Sequence, residues 1–400
     1  MSDPITALCV LGAFVAAFVV ASILAKGQAF AGRDKPHRIG TIDGLRGYLA
    51  LGVAIHHFTV WQEVLHGRPW DGLSSNPLNN LGQSSVALFF MITGVLFYRI
   101  VSRRGLATDW ASLYISRIFR LTPMLWVVTA LVVLFVLAHG GVPQRGDWLS
   151  VTRWLLFLGN PDLMNYPDTR MVNAGVLWTL KYAIAFYVAL PLSALATALI
   201  TSRAARLWTL AVLTVLLMMS YDAMAFQFQI GLVAFFLLGI IASEIADSAA
   251  LADWLRSPVA ALIGTGALLI QMFGFHSANA PLPAVLLMVA FVPVVAGNSY
   301  FGLLRRPGSL VLGEISYSIY MLHGIILSVL MIDYFRPAPG NPDAFWTLLP
   351  LVAIGIVLAA ALSFVLIERP FIKLGKSLAG RVRSWRLGTP ALRSPRSQNS

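Results

Sequence analysis

The sequence predicts an all-α, polytopic integral membrane protein with about eleven transmembrane helices. Of the 400 residues, 58% are hydrophobic and 12% are charged, whereas soluble domains carry about a quarter charged residues. Apolar runs near the length of a membrane span recur along the whole chain. The basic residues gather in alternate loops between these runs, as the positive-inside rule requires of a membrane protein.

The apolar runs define the predicted spans in chain order. They lie at about residues 5–25, 42–63, 83–101, 121–139, 176–200, 206–221, 227–243, 257–274, 282–297, 309–332 and 346–368. The first run is preceded by "MSDP", which has no Lys or Arg, and no small-residue cleavage site follows it. We therefore expect a retained helix rather than a signal peptide.

The distribution of Lys and Arg predicts the orientation. If the N-terminus is outside, most of the basic residues lie in cytoplasmic loops and in the C-terminal tail. The opposite loops hold only Arg68, Arg145, Arg153, Arg170 and Arg336. The prediction is an N-terminus outside and a C-terminus in the cytoplasm. The net charge of +12 is thus explained by topology and by contact with the lipid bilayer, and no nucleic-acid partner is predicted.

The second predicted span carries ionisable residues in the stretch "TIDGLRGYLALGVAIHHF". Helical geometry places Arg46 and His57 on one face, about 16 Å apart along the axis, with Asp43 about 40° from the same line. His56 points about 100° away. Intramembrane ionisable side chains usually face an interior cavity, so this polar stripe predicts a functional site. The alternatives are an Arg46 that reaches the headgroups and a His57 that makes an interhelical hydrogen bond.

A second basic cluster lies in "YISRIFRLTP", where Arg117 and Arg120 are three residues apart on one helical face. Two guanidinium groups in this arrangement offer paired donors to phosphate oxygens, which predicts a phosphate clamp. The alternative is the ordinary positive charge of a cytoplasmic loop.

Several segments together resemble the membrane-bound acyltransferase-3 family. Its signature has ten residues between an Arg and a His, as between Arg46 and His57, and Arg117 and Arg120 match its Arg-x-x-Arg motif. The segments "FFMITGVLF", "LWTLKYAIAFYVALPL", "LGEISYSIYMLH" and "IERPFIKL" resemble further family motifs. The matches run in the family's order from about residue 38 to 376.

The resemblance implies a domain organisation. Residues 38–376 would form the family's ten-helix transmembrane domain in a bacterial-type inner or plasma membrane. Residues 1–37 would add one N-terminal helix and a cytoplasmic linker. The composition of residues 377–400 predicts a basic, disordered cytoplasmic tail.

The resemblance also implies an activity. The protein would be an O-acyltransferase that moves an acyl group from cytoplasmic acyl-CoA to a hydroxyl of a glycan or glycolipid at the outer face. Acetyl would be the first candidate for this acyl group. His57 would act either as general base or as covalent acyl carrier, and the Asp43–Arg46 pair would order the helix entrance or the donor. Arg117 and Arg120 would bind the phosphates of the acyl-CoA co-substrate.

Secondary candidates lie near the C-terminus. Ser316, Tyr320 and His323 share a helical face on the tenth predicted span, beside Glu314, and either line a tunnel or join helices. Glu368 belongs to the last matched motif, and its alternative role is a helix-end ion pair. No metal site is predicted, because the adjacent histidines of the second span point to different faces and no Cys/His cluster accompanies them.

One position departs from the family pattern. Family members usually carry a carboxylate five residues after the Trp of the "LWTLKY" segment, and here that position is Ala183. A catalytically impaired acyltransferase-like protein is therefore one alternative. A proton-coupled transporter or flippase is another, because a stripe of Asp, Arg and His also suits a proton relay. No repeated halves of the kind found in many transporters are visible in the sequence.

Overall fold

A computed structural model describes residues 4–30, 39–70, 73–220, 223–225, 228–334 and 342–386. Over these ranges every element of regular secondary structure is helical apart from one short β-ribbon, and loops connect the elements. The α-helices are α1 (Pro4–Leu24), α2 (Gly40–Leu65), α3 (Asn76–Arg104), α4 (Trp110–Ala138), α5 (Asp147–Leu155), α6 (Thr169–Val172), α7 (Trp178–Leu199), α8 (Arg203–Met219), α9 (Ala234–Ala246), α10 (Ala252–Arg256), α11 (Pro258–Gly274), α12 (Pro281–Val295), α13 (Pro307–Glu314), α14 (Ser316–Val329), α15 (Pro342–Thr347), α16 (Leu349–Ser363) and α17 (Arg369–Arg386).

Shorter elements join these helices. The π-helical segments Leu330–Tyr334 and Phe364–Glu368 continue α14 and α16. The ribbon pairs β1 (Met224–Ala225) with β2 (Phe228–Gln229) in antiparallel register.

The helical class predicted from the sequence is confirmed for the described residues. Six helical segments there are long and apolar enough to cross a membrane: Pro4–Leu24, Asn76–Ala107, Trp110–Ala138, Trp178–Leu199, Ser316–Tyr334 and Phe345–Arg386. Three further apolar helical segments are shorter: Ile230–Ala246, Pro258–Gly274 and Pro281–Val295. The count of about eleven spans stays a prediction.

The helix α2 packs against α3, α13 and α14. Small residues allow this approach. A Cβ atom at Gly47 would lie 2.4 Å from the Cβ of Leu312, and one at Gly313 would lie 1.7 Å from the carbonyl oxygen of Asp43. Glycines at such crossings let helix backbones come close, which is the usual way that membrane helices pack. The polar stripe of α2 is therefore enclosed by protein.

The tenth predicted span, 309–332, is not one continuous α-helix. The helix α13 ends at Glu314, and α14 begins at Ser316. The hydroxyl of Ser316 donates to the carbonyl of Gly313 at 2.8 Å, which satisfies one of the backbone acceptors left at the end of α13. The break at Ile315 is therefore accompanied by a side-chain hydrogen bond, and hydropathy reports neither.

The prediction of disorder in residues 377–400 is wrong for its first part, because α17 continues to Arg386. Residues 387–400 lie outside the described residues. Gly375 and Ala379, one turn apart on α17, are buried, and the space beside Gly375 is filled by Phe119 of α4. The hydroxyl of Ser112 on α4 donates to the carbonyl of Ala379 at 3.3 Å. Tertiary packing against α4 therefore stabilises a helix that composition alone does not predict.

Candidate active site

Two histidines from different helices meet in the interior. Nδ1 of His57, on α2, lies 3.0 Å from Nε2 of His323, on α14. Their ring centroids are 5.1 Å apart with an interplanar angle of 26°. The side chain of His323 has no exposed surface, and its other ring nitrogen, Nδ1, lies 3.1 Å from the carbonyl oxygen of Ile319. The long-range contact thus joins the predicted stripe to the secondary candidate on α14.

These hydrogen bonds determine the tautomer of both neutral imidazoles. A neutral imidazole has one donor nitrogen and one acceptor nitrogen, and a backbone carbonyl only accepts. Nδ1 of His323 must therefore donate to Ile319, so Nε2 of His323 accepts from Nδ1 of His57. Nε2 of His57 is then the acceptor nitrogen. A nitrogen with a free lone pair can remove a proton from a hydroxyl or attack a carbonyl carbon.

His57 lines a small cavity, here called the histidine cavity, with a volume of about 110 Å³. Its other lining residues include His56, Gln83, Trp178, Asn279 and Tyr320. Nδ1 of His56 lies 3.0 Å from the carbonyl oxygen of Leu78, so the two adjacent histidines have different partners. The ring of Trp70, from the segment between α2 and α3, stacks on His57 with 6.3 Å between centroids.

A much larger cavity, here called the basic cavity, has a volume of about 820 Å³. Its basic lining residues include Arg46, Arg103, Arg104, Arg117, Arg120 and Arg383. Both members of the predicted phosphate clamp therefore face one space. The guanidinium carbon of Arg117 lies 5.1 Å from the centre of the Phe97 ring. Its Nε is buried with no hydrogen-bond partner among the described residues, an arrangement that favours an anionic ligand.

A third cavity, here called the middle cavity, lies between the other two and has a volume of about 130 Å³. It shares with the basic cavity the lining residues Arg46, Phe89, Thr93, Leu121, Tyr187 and Tyr317. It shares Val86 and Tyr320 with the histidine cavity. The three cavities therefore adjoin one another in a row from the arginines to His57.

The remaining residues of the α2 stripe lie at the arginine end of this row. Asp43 and Arg46 form an ion pair with 3.8 Å between Oδ1 and Nη1. Both line the basic cavity, and Arg46 also lines the middle cavity. The pair therefore lies at the entrance of the row rather than next to His57.

The secondary candidates differ in whether they line one of these cavities. Ser316 lines the middle cavity, and so does Ala183, the position of the expected carboxylate. The hydroxyl of Tyr320 lies 2.7 Å from Oγ1 of Thr179, so this tyrosine both joins two helices and lines two cavities. Glu314, the last residue of α13, lines none of these cavities.

Glu368 is buried and accepts a hydrogen bond from the hydroxyl of Ser318. Its other carboxyl oxygen, Oε2, has no hydrogen-bond partner among the described residues. The described part of the chain also offers it no ion-pair partner, so the helix-end ion pair considered for this residue is absent from that part. Glu368 therefore joins α14 to the π-helical end of α16.

Several residues at the site are not predicted from the sequence. Lys376 and Arg383, seven residues apart on α17, both line the basic cavity. Their spacing is that of one face of an amphipathic helix, a signal hidden by the basic, Gly- and Ser-containing composition of the tail. Tyr187 and Trp178 line cavities, although packing or interface anchoring is the role expected for them. No local sequence pattern predicts that Trp70 stacks on His57.

Among the residues that the structure describes, no three or more His, Cys, Asp or Glu side chains are grouped so as to hold a metal ion. The paired histidines, His57 and His323, are joined to each other by a hydrogen bond.

Comparison with known proteins identifies the family. The model of a family described as "Acyltransferase domain" matches residues 39–368. Nodulation protein 10 of Rhizobium leguminosarum bv. viciae is 28% identical over 357 residues, which cover 80% of this chain and 92% of that protein. Exopolysaccharide production protein ExoZ of Rhizobium meliloti (strain 1021) is 26% identical over 332 residues, covering 75% and 95%. No solved structure matches the chain. The resemblance seen in the motifs is thereby confirmed, and the chain belongs to the acyltransferase-3 family.

Proposed function

We propose that this protein transfers an acyl group from cytoplasmic acyl-CoA to a hydroxyl of a polysaccharide or glycolipid on the outer side of the membrane. Acetyl is the first candidate for this acyl group. The observation that carries the proposal is the row of three adjoining cavities from the arginines to His57. In the predicted topology, the arginine end of this row of cavities faces the cytoplasm, where acyl-CoA is made. The name of the ExoZ relative supports a polysaccharide as acceptor.

The basic cavity suits the nucleotide part of the donor. Its volume of about 820 Å³ is within the range of small-molecule sites, which is roughly 300–1,000 Å³. Arg117 and Arg120 offer guanidinium donors to the diphosphate. The buried Nε of Arg117 would gain a hydrogen-bond acceptor when a phosphate oxygen binds.

The middle cavity suits the acyl-pantetheine arm. This arm is uncharged and narrow, and Phe89, Thr93 and Tyr187 line the junction through which it would leave the basic cavity. Tyr320 lies at the next junction, beside the histidine cavity. An arm threaded along this row would bring its thioester to His57 while the phosphates stay with the arginines.

His57 can act in either of two ways, and both use the same tautomer. As general base, Nε2 takes the proton of the acceptor hydroxyl while the oxygen attacks the thioester carbonyl; the C–S bond breaks, and the CoA thiolate leaves and is protonated. As nucleophile, Nε2 attacks the thioester carbonyl and the C–S bond breaks, which gives an acyl-imidazole and the CoA thiolate. The acceptor oxygen then attacks this acyl group, the C–N bond breaks, Nε2 regains its lone pair, and the hydroxyl proton passes to the CoA thiolate. In both routes Nδ1 of His57 donates to His323, which stabilises positive charge on the ring.

The proposal is tested by acetyl-CoA binding and turnover with detergent-purified protein. We expect Arg117→Ala to weaken donor binding about 10- to 150-fold, because a hydrogen bond to a charged group contributes roughly 1.5–3 kcal/mol. We expect His57→Ala to abolish turnover and to leave donor affinity unchanged. Arg153→Ala, on the predicted outer side, is the matched control. If no CoA thioester binds, or if Arg117→Ala binds it with normal affinity, the result contradicts the acyltransferase proposal and favours the transporter alternative.

The alternative of an impaired acyltransferase rests on Ala183, whose position lines the middle cavity. A carboxylate there would border the route that the acyl-pantetheine takes. A gain in turnover with Ala183→Glu would show that this chain lacks a group the reaction needs. Unchanged or lower turnover, with normal donor binding, would show that the reaction does not need it here.

A further inference from the structure

We propose that a second phosphate site, built by Arg104 and by Arg383 of the C-terminal helix α17, binds the 3′-phosphate of the donor nucleotide. The inference rests on the proposed acyl-CoA donor and deepens it. The site is a cavity of about 460 Å³, here called the rim cavity. It is lined by Arg104, Ala107, Asp109, Arg383 and Arg386.

The rim cavity adjoins the basic cavity. Arg104, Asp109 and Arg383 line both, so a ligand bound along the arginines of the basic cavity can extend into the rim cavity. Its five lining residues come from α3, from the segment between α3 and α4, and from α17. The site is therefore formed only when α17 packs on the bundle.

The charges of the rim cavity favour an anion. Three guanidinium groups line it together with one carboxylate, Asp109, and none of the three forms an ion pair within the described residues. Asp109 is the N-cap of α4 and accepts from the backbone N–H and the hydroxyl of Ser112, at 3.2 and 2.6 Å. The hydrogen bonds from Ser112, together with the nearby positive charges of Arg383 and Arg386, lower the pKa of its carboxyl, which keeps it charged at the helix N-terminus. Two positive charges in excess remain for a ligand phosphate.

The order of the chemical groups along acyl-CoA indicates which phosphate binds at Arg117 and Arg120 and which binds in the rim cavity. The thioester end enters the middle cavity, so the diphosphate, which comes next along the molecule, lies near Arg117 and Arg120. The ribose with its 3′-phosphate follows beyond the diphosphate. Along α4, Asp109 precedes Arg117 by eight residues, which is about 12 Å of helix. The rim cavity therefore lies on the nucleotide side of the diphosphate site.

The helix α17 acquires a function from this arrangement. Gly375 and Ala379 pack against α4, and the same helix carries Lys376 and Arg383 on the basic cavity. A segment that composition predicts to be a lipid-facing tail thus becomes part of the donor site. An anionic lipid headgroup offers the same phosphate chemistry, and the test below separates the two sources.

The test compares acetyl-CoA with acetyl-3′-dephospho-CoA, two donors that differ by this phosphate alone. Affinities are measured on the full-length protein in detergent free of anionic lipid, at constant ionic strength because exposed charges are screened by salt. We expect the wild type to bind acetyl-CoA about 10- to 100-fold more tightly than the dephospho donor. We expect Arg383→Ala to lose most of this preference by weakening acetyl-CoA alone.

Two further variants make the test specific. Arg381→Ala removes an exposed arginine from the same helix that lines neither cavity, and it should keep the full preference. Arg104→Ala removes an arginine of the same cavity from α3, and it should reproduce the effect of Arg383→Ala without disturbing α17.

The inference is overturned if the wild type binds both donors equally, or if Arg383→Ala weakens both by the same factor. It is also overturned if the effect of Arg383→Ala appears only in vesicles containing phosphatidylglycerol, because the rim cavity would then bind a headgroup. If neither donor binds at all, the proposed function fails and this inference fails with it.

Discussion

Replacing His323 by Leu removes the hydrogen-bond acceptor of His57 while keeping an apolar side chain of similar size. Nδ1 of His57 lies 3.0 Å from Nε2 of His323, and His323 has no exposed surface. Nδ1–H of His57 then loses this acceptor, and among the described residues His57 keeps only its hydrogen bond to the backbone of Val53, so we expect the proton to shift in part to Nε2. That shift removes the lone pair that both proposed reaction routes require.

The magnitude follows from the loss of this buried hydrogen bond, which costs about 1–3 kcal/mol when the donor finds no equivalent acceptor. At about 1.4 kcal/mol for each factor of ten in rate, turnover should fall roughly 5- to 140-fold. Donor affinity should stay unchanged, because His323 lines none of the cavities assigned to acyl-CoA. His323→Gln offers an amide oxygen close to the position of Nε2, so it should keep more activity than His323→Leu.

The assay is the turnover number at saturating acetyl-CoA, together with nitrogen NMR of histidine-labelled protein to report the tautomer of His57. We expect the wild type to hold the proton on Nδ1 of His57 and His323→Leu to redistribute it. Wild-type turnover in His323→Leu would refute the reasoning. So would an unchanged tautomer accompanied by reduced turnover, because the loss would then have another origin.

Two further predictions concern stability. Gly313→Ala places a Cβ atom 1.7 Å from the carbonyl oxygen of Asp43, so α13 must move away from α2 and the melting temperature in detergent should fall, at a cost of about 1–3 kcal/mol. Gly355→Ala, with no atom within 4 Å of the new Cβ, is the control, and equal melting temperatures for the two variants would contradict the close contact. Asp333, whose Oδ1 lies 2.7 Å from Nε2 of His139, raises the pKa of His139 by hydrogen bonding. This pair stabilises the fold below the ordinary histidine pKa of about 6.5 and loses its effect as pH rises through the higher folded-state pKa. The destabilisation caused by His139→Gln should therefore be larger at about pH 6 than at about pH 9, and a pH-independent difference would count against the ion pair.

The sequence predicts well where the information is local. The helix α2 runs without interruption from Gly40 to Leu65, so the common face of Arg46 and His57 follows from helical geometry alone. Arg117 and Arg120 lie on one helix, α4, for the same reason. The helical membrane class follows from hydropathy, because a bilayer admits only segments whose backbone groups are satisfied internally.

The sequence predicts poorly where packing decides. The basic segment at 377–386 looks disordered by composition, but burial of Gly375 and Ala379 against α4 makes it a helix. The break between α13 and α14 likewise depends on the hydroxyl of Ser316 and on the approach of Gly313 to α2. Neither contact leaves a periodic signal in the chain.

The sequence by itself determined the class of protein, the family and the two polar clusters, since each depends on residue types at short and fixed spacings. Only the tertiary structure decided that His57 bonds to His323, 266 residues away, and that three adjoining cavities lie in a row from the arginines to His57. The physical reason is that helical periodicity orders side chains along one helix. It contains no information about which faces of different helices meet, because close packing between helices sets that choice.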